Sequence, residues 1–308
     1  MSGAIDPRRI ALIGFGEVGQ NFAKGLLASG RHEVATFDIL FDNSAAGAAL
    51  RETARALGAE AASSFAAASD GACVVISAVT AASAFDVASE AGRQLRPGQF
   101  FLDINSVSPE TKRADAAAVE PSGASYVEAA VMAPVAPYGH GVPMLLGGAR
   151  AVELAAILTP AGMKMEPVAS EIGEASAIKM CRSVMIKGIE ALAVECFITA
   201  RRYGVEDRIV ASLGETFKPL DWEKLAGYLI ERVVRHGRRR AAEMREAAET
   251  VAAAGLEPLM TAATALRHDW VADQADAAPA LRSIPEAEWR KTVDTLIARL
   301  GKKKQAAE

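Results

Sequence analysis

An α/β domain with a doubly wound, mostly parallel sheet, followed by an all-helical domain, is the architecture that this chain of 308 residues predicts. Three observations carry that expectation. In the first half, short apolar runs without alternating polarity are separated by alanine-rich helical stretches, the pattern of a parallel sheet covered on both faces. A glycine-rich turn joins the first of these runs to the first helix. After Gly173 no convincing strand is found, only long helical patterns. The length agrees, since at roughly 100–200 residues per domain two domains are expected.

Taken in order, the strand-like runs are Ile10–Ile13, Glu33–Phe37, Cys73–Ser77, Gln99–Asp103 and Ser125–Val131. Between them lie helical stretches at Val18–Ser29, Ala45–Leu57, Ala81–Leu95 and Pro109–Val119. A run at Met144–Leu146, a helix at Ala151–Leu158 and a run at Lys164–Val168 close the first domain. The second is read as helices over Ala175–Tyr203, Asp207–Phe217, Trp222–Ala253, Pro258–Ala272 and Pro285–Leu300. The predicted domains are therefore 1–170 and 171–300, with 301–308 a disordered tail.

Composition narrows the function. The formal net charge is −4, so a general nucleic-acid binder, normally basic, is disfavoured. The cysteines Cys73, Cys181 and Cys196 form no CxxC, which speaks against a disulfide scaffold and fits a reducing compartment. The uncharged stretch from Ala129 to Ala149 is broken by Pro134, Pro137 and Pro143, so no membrane helix is expected there. The start MSGAIDPRR shows no signal-peptide pattern, and a cytoplasmic location is expected. His32, His140, His236 and His268 are scattered without metal-ligand spacing, so no metal site is predicted.

Gly14, Gly16 and Gly19 stand at GxGxxG spacing between a strand and a helix, the context in which that motif is informative. The first glycine allows the tight turn and the second lets backbone approach a pyrophosphate. The third lets helix and strand pack closely. The helix N-terminus then faces the phosphate charge. Asp38 ends the second strand, 19 residues beyond Gly19, where a carboxylate binds the adenosine ribose hydroxyls and repels a 2′-phosphate. NAD is thus favoured, with NADP possible; the plain alternative is that Asp38 only caps a strand. Phe15, Glu17 and Val18 in the same loop, with Ala78 and Val79 after the third run, complete the expected Rossmann cofactor contacts.

The helix from Ala175 is apolar on nearly every face, as a central bundle helix or an oligomer interface would be. Lys179, Ser183 and Lys187 nevertheless lie four apart along it. Such a polar stripe either faces solvent or lines a cleft. Further on, Arg232, Arg235, His236, Arg238, Arg239 and Arg240 are followed by Glu243, Glu246 and Glu249. One reading is a helix laced with surface ion pairs. The other sends some of Arg232, Arg235, His236 and Arg239 into the cleft, from this chain or from a partner subunit, to meet an anionic substrate.

The chain resembles the β-hydroxyacid dehydrogenase superfamily, which includes 6-phosphogluconate and 3-hydroxyisobutyrate dehydrogenases. The segments that carry the resemblance are the glycine fingerprint, LeuAspIleAsnSerValSerPro (102–109), GluAlaAlaValMetAlaPro (128–134) and GlyGluAlaSerAlaIleLys (173–179). The phrase from Arg232 to Glu246 further resembles the branch that carries a phosphogluconate-dehydrogenase-like C-terminal domain of unknown function. By this resemblance Lys179 is the catalytic lysine, taking the hydroxyl proton while hydride passes to nicotinamide, as an alcohol oxidation requires. For that its pKa must fall, through burial or neighbouring cations.

The resemblance also implies substrate contacts, and here the chain departs from the pattern. The family's asparagine four residues after the lysine is Ser183. Its SerGlyGly loop aligns with Met132, Ala133 and Pro134, and its SerThr pair with Asn105 and Ser106. The reaction type carries over and the substrate does not. Two alternatives to an alcohol dehydrogenation remain. An imine reductase shares the architecture but usually places Asp or Tyr where Lys179 stands, and a non-catalytic dinucleotide-binding module would explain the altered loop. A short-chain dehydrogenase would need YxxxK, and none of Tyr126, Tyr138, Tyr203 and Tyr228 has a lysine four residues on. A homodimer is expected, because the all-round apolar helix needs cover and the resemblance points the same way.

Overall fold

The structure is a computed structural model that describes residues 8–42 and 44–305. It divides into two compact units, 1–179 and 180–308. The division falls inside a helix rather than near residue 170, because the first unit holds that helix by its N-terminus.

Among the described residues, the first unit is built on eight strands. These are β1 (Arg9–Ile13), β2 (Glu33–Phe37), β3 (Glu60–Ala61), β4 (Val74–Ser77), β5 (Phe100–Asp103), β6 (Ser125–Val131), β7 (Met144–Gly147) and β8 (Met165–Ala169). Their order across the sheet is β3-β2-β1-β4-β5-β6-β7-β8, and every neighbouring pair is parallel except β6 with β7. The connecting helices are α1 (Glu17–Ala28), α2 (Ser44–Leu57), α3 (Phe65–Ser69), α4 (Ala84–Gln94), α5 (Pro109–Val119) and α6 (Ala151–Leu158).

The uninterrupted apolar character of the central strands has a direct cause. Ile10 and Leu12, Val74 and Ile76, Phe100 and Leu102 pack into the core on one face of the sheet. Ala11 and Ile13, Val75 and Phe101 pack into a second core on the other face. Both sides of each strand are buried, so neither side selects polar residues. Two elements escape sequence reading. The strand β3 is only two residues long, paired through Glu60 and Ala61 to Ala35 and Thr36. The single helical turn α3 is N-capped by Ser64, whose Oγ accepts from Ala67 N at 3.1 Å.

Register places the strand ends in one row. Phe37, Ile13, Ser77, Asp103 and Glu128 are successive cross-strand partners. The loops leaving the first four of these strands therefore emerge on the same edge of the sheet, carrying Asp38, Gly14, Ala78 with Val79, and Asn105 with Ser106. In open sheets of this kind ligands bind at that edge, where strand order reverses, here between β1 and β4.

The helix α7 (Glu174–Tyr203) begins in the first unit and continues into the second. The second unit adds α8 (Glu206–Thr216), α9 (Trp222–Ala253), α10 (Leu259–Ala277) and α11 (Trp289–Gln305). Its core joins Val194 and Phe197 of α7 to Ile230 and Val233 of α9, Val271 of α10, and Trp289 and Val293 of α11. The Phe197 and Trp289 rings lie 5.0 Å apart, and Trp289 Nε1 donates to Glu223 Oε1 at 3.0 Å. The helix α11 continues through Gln305, so most of the expected tail is helical; 306–308 lie outside the described residues. No described helix is long and apolar enough to cross a membrane.

Candidate active site

The glycine loop has the geometry that its spacing demands. Gly14 has φ +94°, and a Cβ there would lie 2.3 Å from the Ala78 carbonyl oxygen. Its N–H donates to Phe37 O at 2.8 Å, and Ala78 N–H donates to Ile13 O at 2.8 Å, which ties the loop to both flanking strands. A Cβ on Gly19 would lie 2.2 Å from Gly14 O, so only glycine lets α1 sit this close to β1. A Cβ on Gly16 would meet nothing within 4 Å. Gly16 is also the N-cap of α1 and offers no side-chain cap. The first N–H groups of α1, from Glu17 and Val18 onward, have no partner within the helix, as at every helix start. A phosphate suits that end of the helix.

Asp38 is held by the same loop. Its Oδ2 accepts from Phe15 N at 2.7 Å and its Oδ1 from Leu40 N at 2.9 Å. It does brace the strand end, and it keeps the capacity for a diol as well, because an ionised carboxylate has about four acceptor positions. Phe15 is buried beneath the loop and meets Phe41 edge-on at 6.2 Å.

The next strand ends carry a buried polar network. Asn105 accepts from Val79 N with Oδ1 at 2.7 Å and donates through Nδ2 to Ser77 Oγ at 2.9 Å. It is turned inward and fixes the two loops together, a different task from the substrate contact expected of it. Asp103 accepts from Asn105 N at 2.9 Å and Tyr126 OH at 2.7 Å, and pairs with Lys112 Nζ at 2.9 Å. Lys112 and Asp103 are each 1% exposed. Burial, reinforced by the Asp103 charge, holds the Tyr126 phenol well above its ordinary range.

This network presents Ser106, whose Oγ accepts from Lys179 Nζ at 2.5 Å. Sequence reasoning named both residues but not their pairing, which spans 73 positions. Lys179 stands on the first turns of α7, and those turns are fixed by a residue that sequence reasoning missed. Glu128 of β6 is fully buried, and its carboxylate accepts from Gly173 N at 2.7 Å, Ala175 N at 3.1 Å and Ser176 N at 3.3 Å. The signals in the sequence are a lone carboxylate inside an apolar strand and its place at the head of the 128–134 segment that carries the resemblance. Met132, Ala133 and Pro134 come directly after the end of β6, with Met132 N donating to Pro143 O at 2.9 Å.

The first unit thus brings together Gly14, Phe15, Gly16, Glu17, Val18, Gly19, Asp38, Ala78, Val79, Asn105, Ser106 and Lys179 along one edge of its sheet. Similarity to known proteins bears on what such an edge is. Residues 9–168 match the family model described as the NAD binding domain of 6-phosphogluconate dehydrogenase. This chain belongs to that family. Residues 200–271 match a domain of unknown function, DUF1932. The chain is 41% identical to a conserved hypothetical protein of Sinorhizobium meliloti 1021, with TM-score 0.78 over 96% of this chain and 98% of that one. It is 34% identical to a conserved protein of unknown function described as structurally similar to 3-hydroxyacid dehydrogenases, with TM-score 0.69 over 86% and 97% of the two chains. A 3-hydroxyisobutyrate dehydrogenase of Mycobacterium tuberculosis, 19% identical, shares the fold with TM-score 0.70 over 94% and 99%. The first unit is accordingly an NAD(P)-binding domain within a hydroxyacid dehydrogenase-like fold.

The second unit uses its expected substrate residues differently. Lys187 Nζ donates to Ser183 Oγ at 2.8 Å and pairs with Glu243 Oε2 at 2.9 Å, and both Ser183 and Lys187 are buried. Burial pulls the Lys187 amine below its usual range, against the opposing pull of Glu243. Arg239 is exposed and pairs with Glu243 at 2.6 Å, so within this unit it belongs to the laced surface of α9. The His236 ring reaches solvent at one side, and the desolvation of the rest of it, together with the charges of Arg239, Arg232 and Arg240, keeps the imidazole below its usual range. The arginine that turns inward is Arg240, whose guanidinium grips the fully buried Glu190 through two nitrogens, Nε at 2.6 Å. Arg232 approaches the same carboxylate at 3.5 Å.

Proposed function

We propose that the protein is an NAD-preferring dehydrogenase that acts on the alcohol carbon of a hydroxy acid or a related anion, with Lys179 as the general acid/base. The observation that carries this reading is the Lys179–Ser106 hydrogen bond at the strand edge that also holds the glycine loop and Asp38. The residues present suit a dinucleotide: Gly16 leaves open space at the start of α1, and Asp38 offers a carboxylate where ribose hydroxyls are bound. When bound, the dinucleotide supplies the acceptor for the two electrons that an alcohol carbon gives up.

The chain's own residues handle the proton. In its neutral form the Lys179 amine takes the proton of the substrate hydroxyl as the carbonyl forms, and in the reverse direction the ammonium returns it. Ser106 orients the amine, since its Oγ accepts an N–H and so leaves the nitrogen lone pair of the neutral form to act as base. Asn105 keeps the Ser106 loop in register with Val79, so the proton donor and the cofactor edge stay at a fixed spacing.

The test is reduced-nicotinamide absorbance over a panel of hydroxy acids, sugar acids, aryl alcohols and imines, with NAD and NADP. Turnover of an alcohol that falls by on the order of 10²–10⁴-fold in Lys179→Ala, with dinucleotide binding kept, is the expected result. Unchanged turnover in that variant would remove Lys179 from the chemistry. Dinucleotide binding with no turnover of any compound would favour a non-catalytic module.

We also propose a homodimer. On α7 of the second unit Met185, Ile189, Leu192, Cys196 and Tyr203 recur at spacings of four, three, four and seven, the seam of a helix pair. Met185 is 64% exposed and Leu192 56%, large apolar surface that a second copy would cover. Light scattering should give twice the chain mass for the wild type and the single mass for Leu192→Glu. A wild-type monomer at working concentration would end the proposal.

A further inference from the structure

We infer that Glu128 is a positioning residue for Lys179, acting through the N-terminus of α7; this rests on the reading of Lys179 as the proton-transfer group. A helix start leaves its first N–H groups without intrahelical acceptors, and an ordinary cap is a Ser, Thr, Asp or Asn just ahead of the helix. The residue ahead of Glu174 is Gly173, which has no side chain to serve. Its φ of +110° turns the chain sharply into the helix instead. The acceptor comes from 45 residues upstream, from the middle of the sheet.

That acceptor is costly to place and has a prepared seat. An ionised carboxylate with no water around it is strongly destabilised unless hydrogen-bonded and opposed by positive charge. Glu128 receives three N–H groups and faces the positive end of the α7 dipole. Across the antiparallel pair its register partner is Gly147, where a Cβ would lie 2.5 Å from Glu128 Oε1 and 3.0 Å from Glu171 O. Ala175 and Ser176 are buried, and Ser176 Oγ donates back to Gly173 O at 3.1 Å, so the first turn has little freedom.

Lys179 lies four residues beyond Ala175, so it stands one turn above the amide that Glu128 holds. The same strand row also fixes Ser106, through Asp103, the register partner of Glu128. The amine and its hydroxyl acceptor are thereby referred to neighbouring strands of one sheet. Geometry of this kind matters to rate, because a displacement of about 1 Å at a reacting group costs on the order of 10²-fold.

The experiment uses the full chain and reads Lys179 without needing a substrate. Trace labelling with acetic anhydride, followed by peptide mass spectrometry, gives the reactivity of Lys179 relative to Lys24, an exposed lysine of α1. Glu128→Gln keeps the size but turns an NH₂ donor toward one of the amides. The expected result is a several-fold rise in the Lys179 to Lys24 ratio, as the amine leaves Ser106, with dinucleotide affinity unchanged. Glu128→Asp, which keeps the charge but draws the carboxylate back by one methylene, should bring the ratio only part of the way back. Once a substrate is known, kcat should fall in Glu128→Gln by on the order of 10- to 100-fold with KM little changed. An unchanged labelling ratio in a folded Glu128→Gln protein would overturn the inference. So would fast hydrogen exchange at the Gly173, Ala175 and Ser176 amides of the wild type, a measurement that does not depend on any variant folding. If Lys179→Ala leaves turnover intact while the labelling ratio still responds to Glu128, the reading of Lys179 fails and the helix-positioning role stands.

Discussion

Carboxylates in the two units are met by different donors. In the first unit backbone amides take part: the buried Glu128 is met by three, and the buried Asp103 by one together with the side chains of Lys112 and Tyr126. In the second, side chains do so: the buried Glu190 is met by Arg240 and Arg232, and the partly buried Glu243 by Lys187 and Arg239. Backbone donors come with the fold and their positions are set by the strand register. Side-chain donors must be brought together by packing one helix on another. The first arrangement suits a site whose atoms need fixed coordinates, and the second locks the rotation and register of α7 against α9.

Removing one partner should therefore hurt the second unit more. Arg240→Met leaves Glu190 buried with the more distant Arg232 and the His268 ring, and a loss of about 3–5 kcal/mol is expected in urea unfolding. Replacing Glu190 by Leu in the same protein should recover much of it. Lys112→Met in the first unit leaves Asp103 with Tyr126 and the Asn105 amide, and a smaller loss of about 1–3 kcal/mol is expected. Equal losses would break the contrast.

The next effect is on pH. His268 of α10 is buried beside this cluster, its Nε2 3.9 Å from Glu190. Burial, then the charges of Arg240 and Lys187, lowers its pKa from 6.5 to about 4. A folded value below the unfolded one means that the unfolded chain binds the proton more readily. Stability from the neutral ring is then complete above pH 6.5 and falls as pH drops toward 4. The integrated loss is about 3 kcal/mol. Urea midpoints at pH 7.5 and 4.5 should separate more in the wild type than in His268→Phe, and an equal separation would refute it.

The smallest effect belongs to the cofactor edge. Asp38→Ala should weaken NAD binding about tenfold, near 1.4 kcal/mol, and leave NADP binding equal or better. Titration of both dinucleotides checks this. A variant that keeps the wild-type preference would mean that Asp38 acts only on Phe15 and Leu40.

The first unit was far more legible in the sequence than the second. Two of its strands end just before the first polar or glycine residue after the apolar run, β2 at Phe37 before Asp38 and β1 at Ile13 before Gly14, so this part of the site's edge could be drawn from residue types alone. The two-residue β3 was too short to show a pattern. The Lys179–Ser106 pair was out of reach because no local periodicity relates positions so far apart. On α9 the expectation favoured Arg239 over Arg240, and the burial is the reverse. A signal was present: Val233, Val234, Gly237, Ala241 and Met244 mark the inner face at three- and four-residue steps, and Arg240 falls on it. Adjacent residues on a helix point about 100° apart, so a charge run cannot be assigned to a face by composition. Ser183 and Lys187 shared a stripe as expected, and what they meet was decided by Glu243 on another helix.

The seat of Glu128 makes two distant positions behave as one variable. With the longer acid on β6, residue 147 on β7 is confined to glycine, since any side chain would strike the carboxylate. Aspartate at 128 would not lift that restriction, because a Cβ at 147 also meets Glu128 Cγ at 3.1 Å and the Glu171 carbonyl oxygen at 3.0 Å. Across related chains a carboxylate at 128 should therefore go together with glycine at 147, whichever acid supplies it. An insertion between the strands that slipped their antiparallel register by one residue would break the match, however well it preserved the apolar core.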